Sequence, residues 1–392
     1  MEDSLIALLG FFSLFILLAI RMPVGIALML VGTAGIWFIR ERAAIPKLGG
    51  EIFNEASNYP LTIIPLFVLM GNLAGASGMS RDLYAAAHSW VGHMKGGLAA
   101  GSIAAGGTLG ILIPPSAGFV IYAILTEESI GRLFMAGVLP GLMLTALFIL
   151  AIWITVLRHP DRAPGGTDKA PLATRLRMLA RAGWIIGIIL LTIGGIYSGV
   201  FSAIEAAGIG ATLAFVVTII RGKLTRANLV EVFASTLKSS GTVFLILFGA
   251  FVFKSFIGFS GVTNDLADWV QAQGYTGMQV VIAFIAIFVI LGMFMDGFAI
   301  LVLTVPLVQP IIEPLGIDMV WFGVLMVIAL EMGLISPPVG VNVFVVKGIA
   351  PNVPLNTIFR GIWPFWFAML AAVILILIFP QIALLLPDTM FG

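Results

Sequence analysis

Leu109-Gly110-Ile111-Leu112-Ile113-Pro114-Pro115-Ser116 in the first half of the chain and Met332-Gly333-Leu334-Ile335-Ser336-Pro337-Pro338-Val339 in the second carry one pattern twice. A Pro-Pro pair inside an apolar segment removes two main-chain donors and pushes the preceding residue out of the helical region, so each segment must break there. The echo keeps its register downstream. Phe134, Gly137 and Pro140 recur as Phe359, Gly361 and Pro364, and the offset of the Gly and Pro pairs differs by a single position from that of the double prolines. Upstream, Gly71 and the Ser77-Gly78 turn find weaker partners in Gly249 and Ser260-Gly261. The chain reads as two related halves, each with a break in an apolar segment.

The surrounding composition says what those breaks interrupt. Of 392 residues, 60% are hydrophobic and 10% charged, where soluble domains carry about 25% charged residues. Runs near the ~20 residues needed to cross a bilayer recur: Ser4 to Ile20, Val24 to Ile39, Leu133 to Leu157, Gly183 to Gly199, Ala206 to Ile220, Thr242 to Ile257, Val280 to Met295 and Ile362 to Leu386. They lack the alternation of barrel strands, so the expected fold is an all-α polytopic membrane protein. The first run has neither a basic leader nor a small-residue cleavage site and reads as a retained helix. A net charge of +1 without a basic stripe argues against nucleic acid as a partner. With no cysteine, disulfides, thiolate metal sites and cysteine nucleophiles are excluded together.

The one long polar stretch, Arg158 to Arg181, holds Arg158, Arg162, Lys169, Arg175, Arg177 and Arg181 against Asp161 and Asp168. The positive-inside rule makes it cytoplasmic. Arg221, Lys223 and Arg226 return to the same side two apolar runs later. The organisation expected is a first half over 1–157, a basic linker over 158–182 and a second half over 183–392.

Breaks at membrane depth survive where freed main-chain groups are buried in protein or line a polar cavity, and paired interrupted segments point to a transporter site. The segments Gly97 to Ile113 and Val320 to Ile335, each followed by a shorter apolar run, fit either a re-entrant hairpin or a broken crossing. Ionisable residues inside apolar runs are functional candidates by default. Asp296, in Gly292-Met293-Phe294-Met295-Asp296-Gly297, is the first; Asn342, just past the second break, is a neutral candidate. Ser116 and Glu205 complete the expected solute and ion path. Glu331 reads as a capping or pairing residue, Lys254 as a snorkelling one, and Arg81 to Lys95 as an amphipathic interfacial helix.

Arg21-Met22-Pro23-Val24-Gly25, Ile64-Pro65-Leu66-Phe67, His93-Met94-Lys95-Gly96-Gly97-Leu98, Gly107 to Ser116, Ile130-Gly131-Arg132-Leu133-Phe134, Glu205-Ala206-Ala207, and Leu334 to Gly340 with Val343-Phe344-Val345 run nearly end to end. Together they resemble the large membrane subunit of the tripartite ATP-independent periplasmic (TRAP) transporters, members of the ion-transporter superfamily. The resemblance implies two inverted structural repeats with re-entrant hairpins and broken helices, working as an elevator-type secondary transporter in the bacterial inner membrane. It implies sodium as the coupling ion, no other cofactor, and a C4-dicarboxylate, sugar acid or similar organic acid delivered by a periplasmic substrate-binding protein. A small four-helix membrane subunit is the implied partner. By position, the sodium sites implied use Gly110, Ile113 and Pro115 in the first half and Gly292, Met295, Ser336, Pro338 and Gly340 in the second.

The two halves differ in length. The interval from Gly78 to Pro115 is about half of the matching interval from Gly261 to Pro338. Paired repeats should match, so the first half is about forty residues short, and the resemblance puts the absent broken helix near Ile103 and Ala104. Loss of a single crossing would invert the topology of everything after it. A true deletion implies a transport-defective or scaffold subunit; the favoured explanation is a native chain longer than this one. A remote alternative is an intramembrane serine protease, since Gly258-Phe259-Ser260-Gly261 and Gly75-Ala76-Ser77-Gly78 both spell G-x-S-G. The three histidines, His88, His93 and His159, fall in polar connections where none can serve as base. No enzymatic activity is expected.

Overall fold

The computed structural model describes residues 3–91, 112, 115–158, 171–349 and 353–391. Among them the regular structure is helical, without strands. The helices are α1 (Asp3–Ala19), α2 (Val24–Ile39), α3 (Ala44–Ala56), α4 (Ile63–Ala76), α5 (Met79–Val91), α6 (Ala117–Thr126), α7 (Ile130–Arg158), α8 (Leu172–Tyr197) and α9 (Ala203–Ile220). They continue as α10 (Arg226–Ser260), α11 (Val262–Ala272), α12 (Gly277–Gly292), α13 (Gly297–Ile312), α14 (Met319–Leu334), α15 (Val341–Ile349), α16 (Leu355–Ile378) and α17 (Gln381–Phe391). By length and composition, seven of these are apolar enough to cross a bilayer: α4 with its preceding turn, α7, α8, α9, α10, α13 with its following turn, and α16. The protein is a multi-pass α-helical membrane protein.

Local signals explain most of the starts. Ser202 and Glu205 form a capping box at α9, and Thr276 and Gln279 form another at α12. Thr225 caps α10, Asp318 caps α14 and Ser116 caps α6. Part of the expected linker is helical, because α8 already begins at Leu172. The apolar run to Leu386 is divided at Phe379 and Pro380, where α16 ends. Proline cannot donate into the last turn, so the chain turns there.

Without a hydrophobic driving force in lipid, helices associate by close packing through small residues. α2 and α10 meet at Gly25 and Gly249, where a methyl group on Gly249 would stand 2.4 Å from the Gly25 carbonyl oxygen. Every residue of α14 is buried. An all-round apolar helix belongs in the interior, and the rest packs about it.

The ends of the long helices sort by charge. Arg158 closes α7, Arg175, Arg177 and Arg181 lie in the first turns of α8, and Arg221, Lys223 and Arg226 link α9 to α10, all at one end. There Arg221 pairs with Asp82 of α5 and donates to the Ser77 carbonyl at 3.1 Å. At the opposite end lie Glu127 and Glu128, close to Lys254 of α10 (Lys254 to Glu127, 3.9 Å). Lys254 also donates to the Leu125 carbonyl at 3.3 Å.

The Ser-Gly turns have the same build in both halves. Ser77 Oγ donates to the Ala74 carbonyl at 3.0 Å, and Ser260 Oγ to that of Ile257 at 2.7 Å. Each oxygen accepts from the amide two residues on, Met79 or Val262, at 3.4 Å. Gly78 and Gly261 follow with φ of +81° and +70°, a region glycine enters without a Cβ penalty. Both serines are turn caps.

Candidate functional site

Two elements carry the second-half break, and each enters from the acidic end. α12 and α13 have 16 residues apiece, about 24 Å of helix each. Their far ends adjoin: a Cβ on Gly277, the first residue of α12, would lie 3.0 Å from Ile317, just past the end of α13. The pair goes in and comes back on one side, so α13 is a return arm. Asp296 sits at its tip.

The Pro-Pro segment behaves differently. α14 starts beside the end of α16, where Trp321 Nε1 donates to the Ile376 carbonyl at 3.1 Å. By Ser336 it has reached the middle of α16, where Trp366 Nε1 donates to Ser336 Oγ at 2.8 Å. α15 follows, and Lys347 near its end donates to the Val353 carbonyl at 2.8 Å, just before α16 begins. The Pro337-Pro338 break thus interrupts a crossing at mid-depth. In the first half α6 leads to the acidic end: Tyr122 donates to the Met319 carbonyl (2.7 Å), and Gln309 to that of Thr126 (3.2 Å).

The tip and the break meet. A Cβ on Gly292 would stand 2.8 Å from the Gly333 Cα, so here the two main chains touch. One turn on, the Gly340 amide donates to the Met293 carbonyl at 3.2 Å. Gly340 has a φ of +60° and Ser336 O would lie 2.9 Å from its Cβ, so both conformation and space require glycine. Asp296 Oδ1 accepts from the amides of Phe298 (2.8 Å) and Ala299 (3.3 Å), which caps α13.

A cavity of about 140 Å³ opens beside this junction, lined by Gly118 of α6, Asp296, Gly297, Glu331, Leu334 and Asn342 among others. Among the described residues its lining includes two carboxylates and no Lys, Arg or His. Asp296 is exposed at the mouth, and Glu331 is 3% exposed. Among the described residues Glu331 Oε2 has no hydrogen-bond partner, so the expected capping or pairing role is not what the structure shows. A larger cavity of about 640 Å³ lies at the acidic end against Asn58, Glu127, Glu128 and Ser202, away from both breaks.

The sequence candidates fall into three groups. Gly292, Met295, Asp296, Ser336, Pro338, Gly340 and Asn342 gather at the junction or its cavity. The hydroxyl of Ser336 is occupied, since it also donates to the Met332 carbonyl at 2.6 Å, which leaves its main-chain carbonyl for a ligand. Ser116 caps α6, accepting from Phe119 N at 3.3 Å, next to Gly118 of the cavity wall; Pro115 precedes it at the bend. Glu205 stands apart: Ser202 N donates to it at 2.8 Å and its carboxylate completes the capping box. Gly110 and Ile113 lie outside the described residues, as do Ile103, Ala104, His93 and His159. Sequence reasoning misses Gly118 and Trp366; Gly118 sits two residues after Ser116, a proximity that could have flagged it.

A family model described as "Tripartite ATP-independent periplasmic transporter, DctM component" matches residues 11–103 and 98–382. The C4-dicarboxylate TRAP transporter large permease protein DctM of Pseudomonas aeruginosa is 30% identical, over 88% of this chain and 90% of that protein. The sialic acid TRAP transporter large permease protein SiaM of Vibrio cholerae is 28% identical, over 96% and 97%. That alignment runs over 420 positions yet uses 96% of the 392 residues here, about 376, so about 44 positions of the relative (420 − 376) have no counterpart. The two family-model matches meet at 98–103, where the first half is short. In fold, the chain is similar to the crystal structure of the Alcanivorax borkumensis YdaH transporter, with a TM-score of 0.57 at 16% identity over 88% of each chain. The chain belongs to the DctM, or large permease, family of TRAP transporters.

Proposed function

We propose that this permease subunit imports a small organic acid, coupled to the inward sodium gradient, at the junction of the α12–α13 tip with the α14–α15 break. The observation that carries the reading is the cavity at that junction, with two carboxylates and, among the described residues, no cationic side chain in its wall. An anion entering such a site is repelled unless cations enter with it, so coupling to a cation is built into the charge of the wall. Main-chain carbonyls near Gly292, Met295, Ser336 and Pro338 are the hard oxygen ligands that sodium takes. The relatives named above are permeases for C4-dicarboxylates and for sialic acid, all anions. On this reading the basic face lies in the cytoplasm of a bacterium and the acidic face in the periplasm, which the positive-inside rule supports. A periplasmic substrate-binding protein and a small four-helix membrane subunit complete the transporter, and the mobile part moves as an elevator.

The roughly 44 positions without a counterpart favour a second reading, a scaffold subunit that docks its partners without transporting. Expression with the two partner subunits in a bacterial host lacking its own dicarboxylate and sialic acid uptake decides between them. Growth on succinate or sialic acid supports the permease, and absence of growth with both membrane subunits in the membrane and the binding protein in the periplasm supports the scaffold.

A further inference from the structure

The Ser-Gly turns after α4 and α10 belong to a longer repeat. Gly75-Ala76-Ser77-Gly78-Met79-Ser80-Arg81-Asp82-Leu83 and Gly258-Phe259-Ser260-Gly261-Val262-Thr263-Asn264-Asp265-Leu266 share a glycine, the Ser-Gly pair, a hydroxyl residue and Asp-Leu in register. Asp82 is the fourth residue of α5 and Asp265 the fourth of α11. Packing around the two turns is exchanged between the halves: α9 lies along α4, and α2 lies along α10. Each packed helix ends in an arginine that reaches the other half's turn. Arg221, after α9, pairs with Asp82, each side chain about a fifth exposed, and donates to the Ser77 carbonyl at 3.1 Å. Arg40, after α2, lies 5.5 Å from the ring centre of Phe259, next to Ser260. The arginines hold equivalent places, yet the ion pair is made once. Among the described residues neither Arg40 nor Asp265 is in an ion pair, and both are exposed.

Each Asp stands just beyond a glycine of positive φ, Gly78 or Gly261, where the chain can swing without a Cβ penalty. A swing of α5 or α11 about that glycine carries its Asp toward or away from the arginine. In sequence, α5 runs on toward the first Pro-Pro segment and α11 directly into the α12–α13 pair, so both helices are arms that tie the packed bundle to the breaks. Arg221 lies at the basic end, and Arg40, beside the far end of α10, at the opposite one. An acid in a first turn is favoured by the helix dipole with or without an arginine, but that use does not bring an arginine to the turn. We propose that Arg221 with Asp82 and Arg40 with Asp265 are positioning pairs for transport, one on each face of the membrane, which close in alternation. The first is closed here, and the second closes as the first opens. The inference rests on the transporter reading and adds to it the contacts that hold the arms at either end of the movement.

The test uses the full-length protein with its partner subunits in liposomes. Asp265→Asn and Arg40→Gln alter exposed residues that make no ion pair in this state. Each is expected to lower the maximal uptake rate about threefold, the scale of one ion pair near the surface, and to leave the half-saturating substrate concentration and the unfolding temperature unchanged. The double variant is expected to be no slower than either single one, because both remove the same pair. Asp268→Asn, on the same helix, is expected to change nothing. Normal rates in both single variants, or losses that multiply in the double one, overturn the second pair. Another measurement reads geometry without transport. The chain has no cysteine, so Arg40→Cys with Asp265→Cys supplies the two thiols for a short bifunctional thiosulfonate. Adding Asp82→Asn is expected to speed this cross-linking about threefold, since opening the first pair favours closing the second. No cross-linking, or equal rates with and without Asp82→Asn, overturns the alternation. Should the unmodified protein import neither succinate nor sialic acid, the transporter reading fails, and the cross-linking alone decides whether the pairs alternate.

Discussion

The Gly340 amide donates to the Met293 carbonyl across 3.2 Å, joining the Pro-Pro break to the tip of the α12–α13 pair. This bond lets two interrupted helices satisfy each other at membrane depth, where an unpaired amide is costly. Gly340→Ala places a Cβ 2.9 Å from Ser336 O in a left-handed conformation. A loss of ~1–2 kcal/mol in stability is expected. Uptake should fall at least tenfold, measured beside a thermal unfolding curve; normal uptake would remove the junction from the mechanism.

Gly292 and Gly333 bring two main chains into contact, and a side chain on either must force α12 away from α14. Gly333→Leu is expected to abolish uptake and to lower the unfolding temperature. Gly71→Ala, at a position with open space, is expected to do neither. Parallel fluorescence-detected size-exclusion and uptake measurements separate the two.

Asp296 has two roles that substitutions can split. Asn keeps an oxygen for the amides of Phe298 and Ala299, whereas Ala removes the cap at a cost of ~1 kcal/mol. Asp296→Asn should therefore spare stability and raise the sodium concentration for half-maximal uptake, while Asp296→Ala should lower both stability and uptake. Equal sodium dependence in Asp296→Asn and the unmodified protein would assign the residue to the cap alone.

Glu128, in the turn between α6 and α7, has its carboxyl pushed above the usual range by burial, while Arg132 pulls it back and Asp318 adds to the rise. An acid whose folded value is raised costs stability when ionised, and the cost is relieved as pH falls through that raised value. Glu128→Gln is expected to raise the unfolding temperature at pH 7–8, with the advantage shrinking toward pH 5. An advantage that grows on acidification would contradict this.

Much of the junction is legible in the sequence because its constraints are local. Two prolines in an apolar run force a break, and Asp296 among glycines is costly unless it works. The path of the chain is less legible. Val280 to Ile312 and Val320 to Ile335 are similar apolar stretches, and only the contacts of Gly277 with Ile317 and of Ser336 with Trp366 show that the first returns and the second crosses. That distinction changes what a shorter first half implies. The surplus in the second half corresponds to a pair that enters and leaves on one side, so lack of its counterpart would not invert the helices that follow. Glu331 reads from sequence as a pairing residue, but pairing is a property of neighbours in space. Glu205 reads as a path residue, although Ser202, three residues before it, announces the capping box.

The most direct measurement of the central claim is uptake of radiolabelled succinate or sialic acid into liposomes holding the complete transporter, with binding protein outside, under opposed ion gradients. The expected result is accumulation driven by an inward sodium gradient and lost when potassium replaces sodium. Uptake at the same rate in both salts would contradict sodium coupling at the junction of the α12–α13 tip with the α14–α15 break.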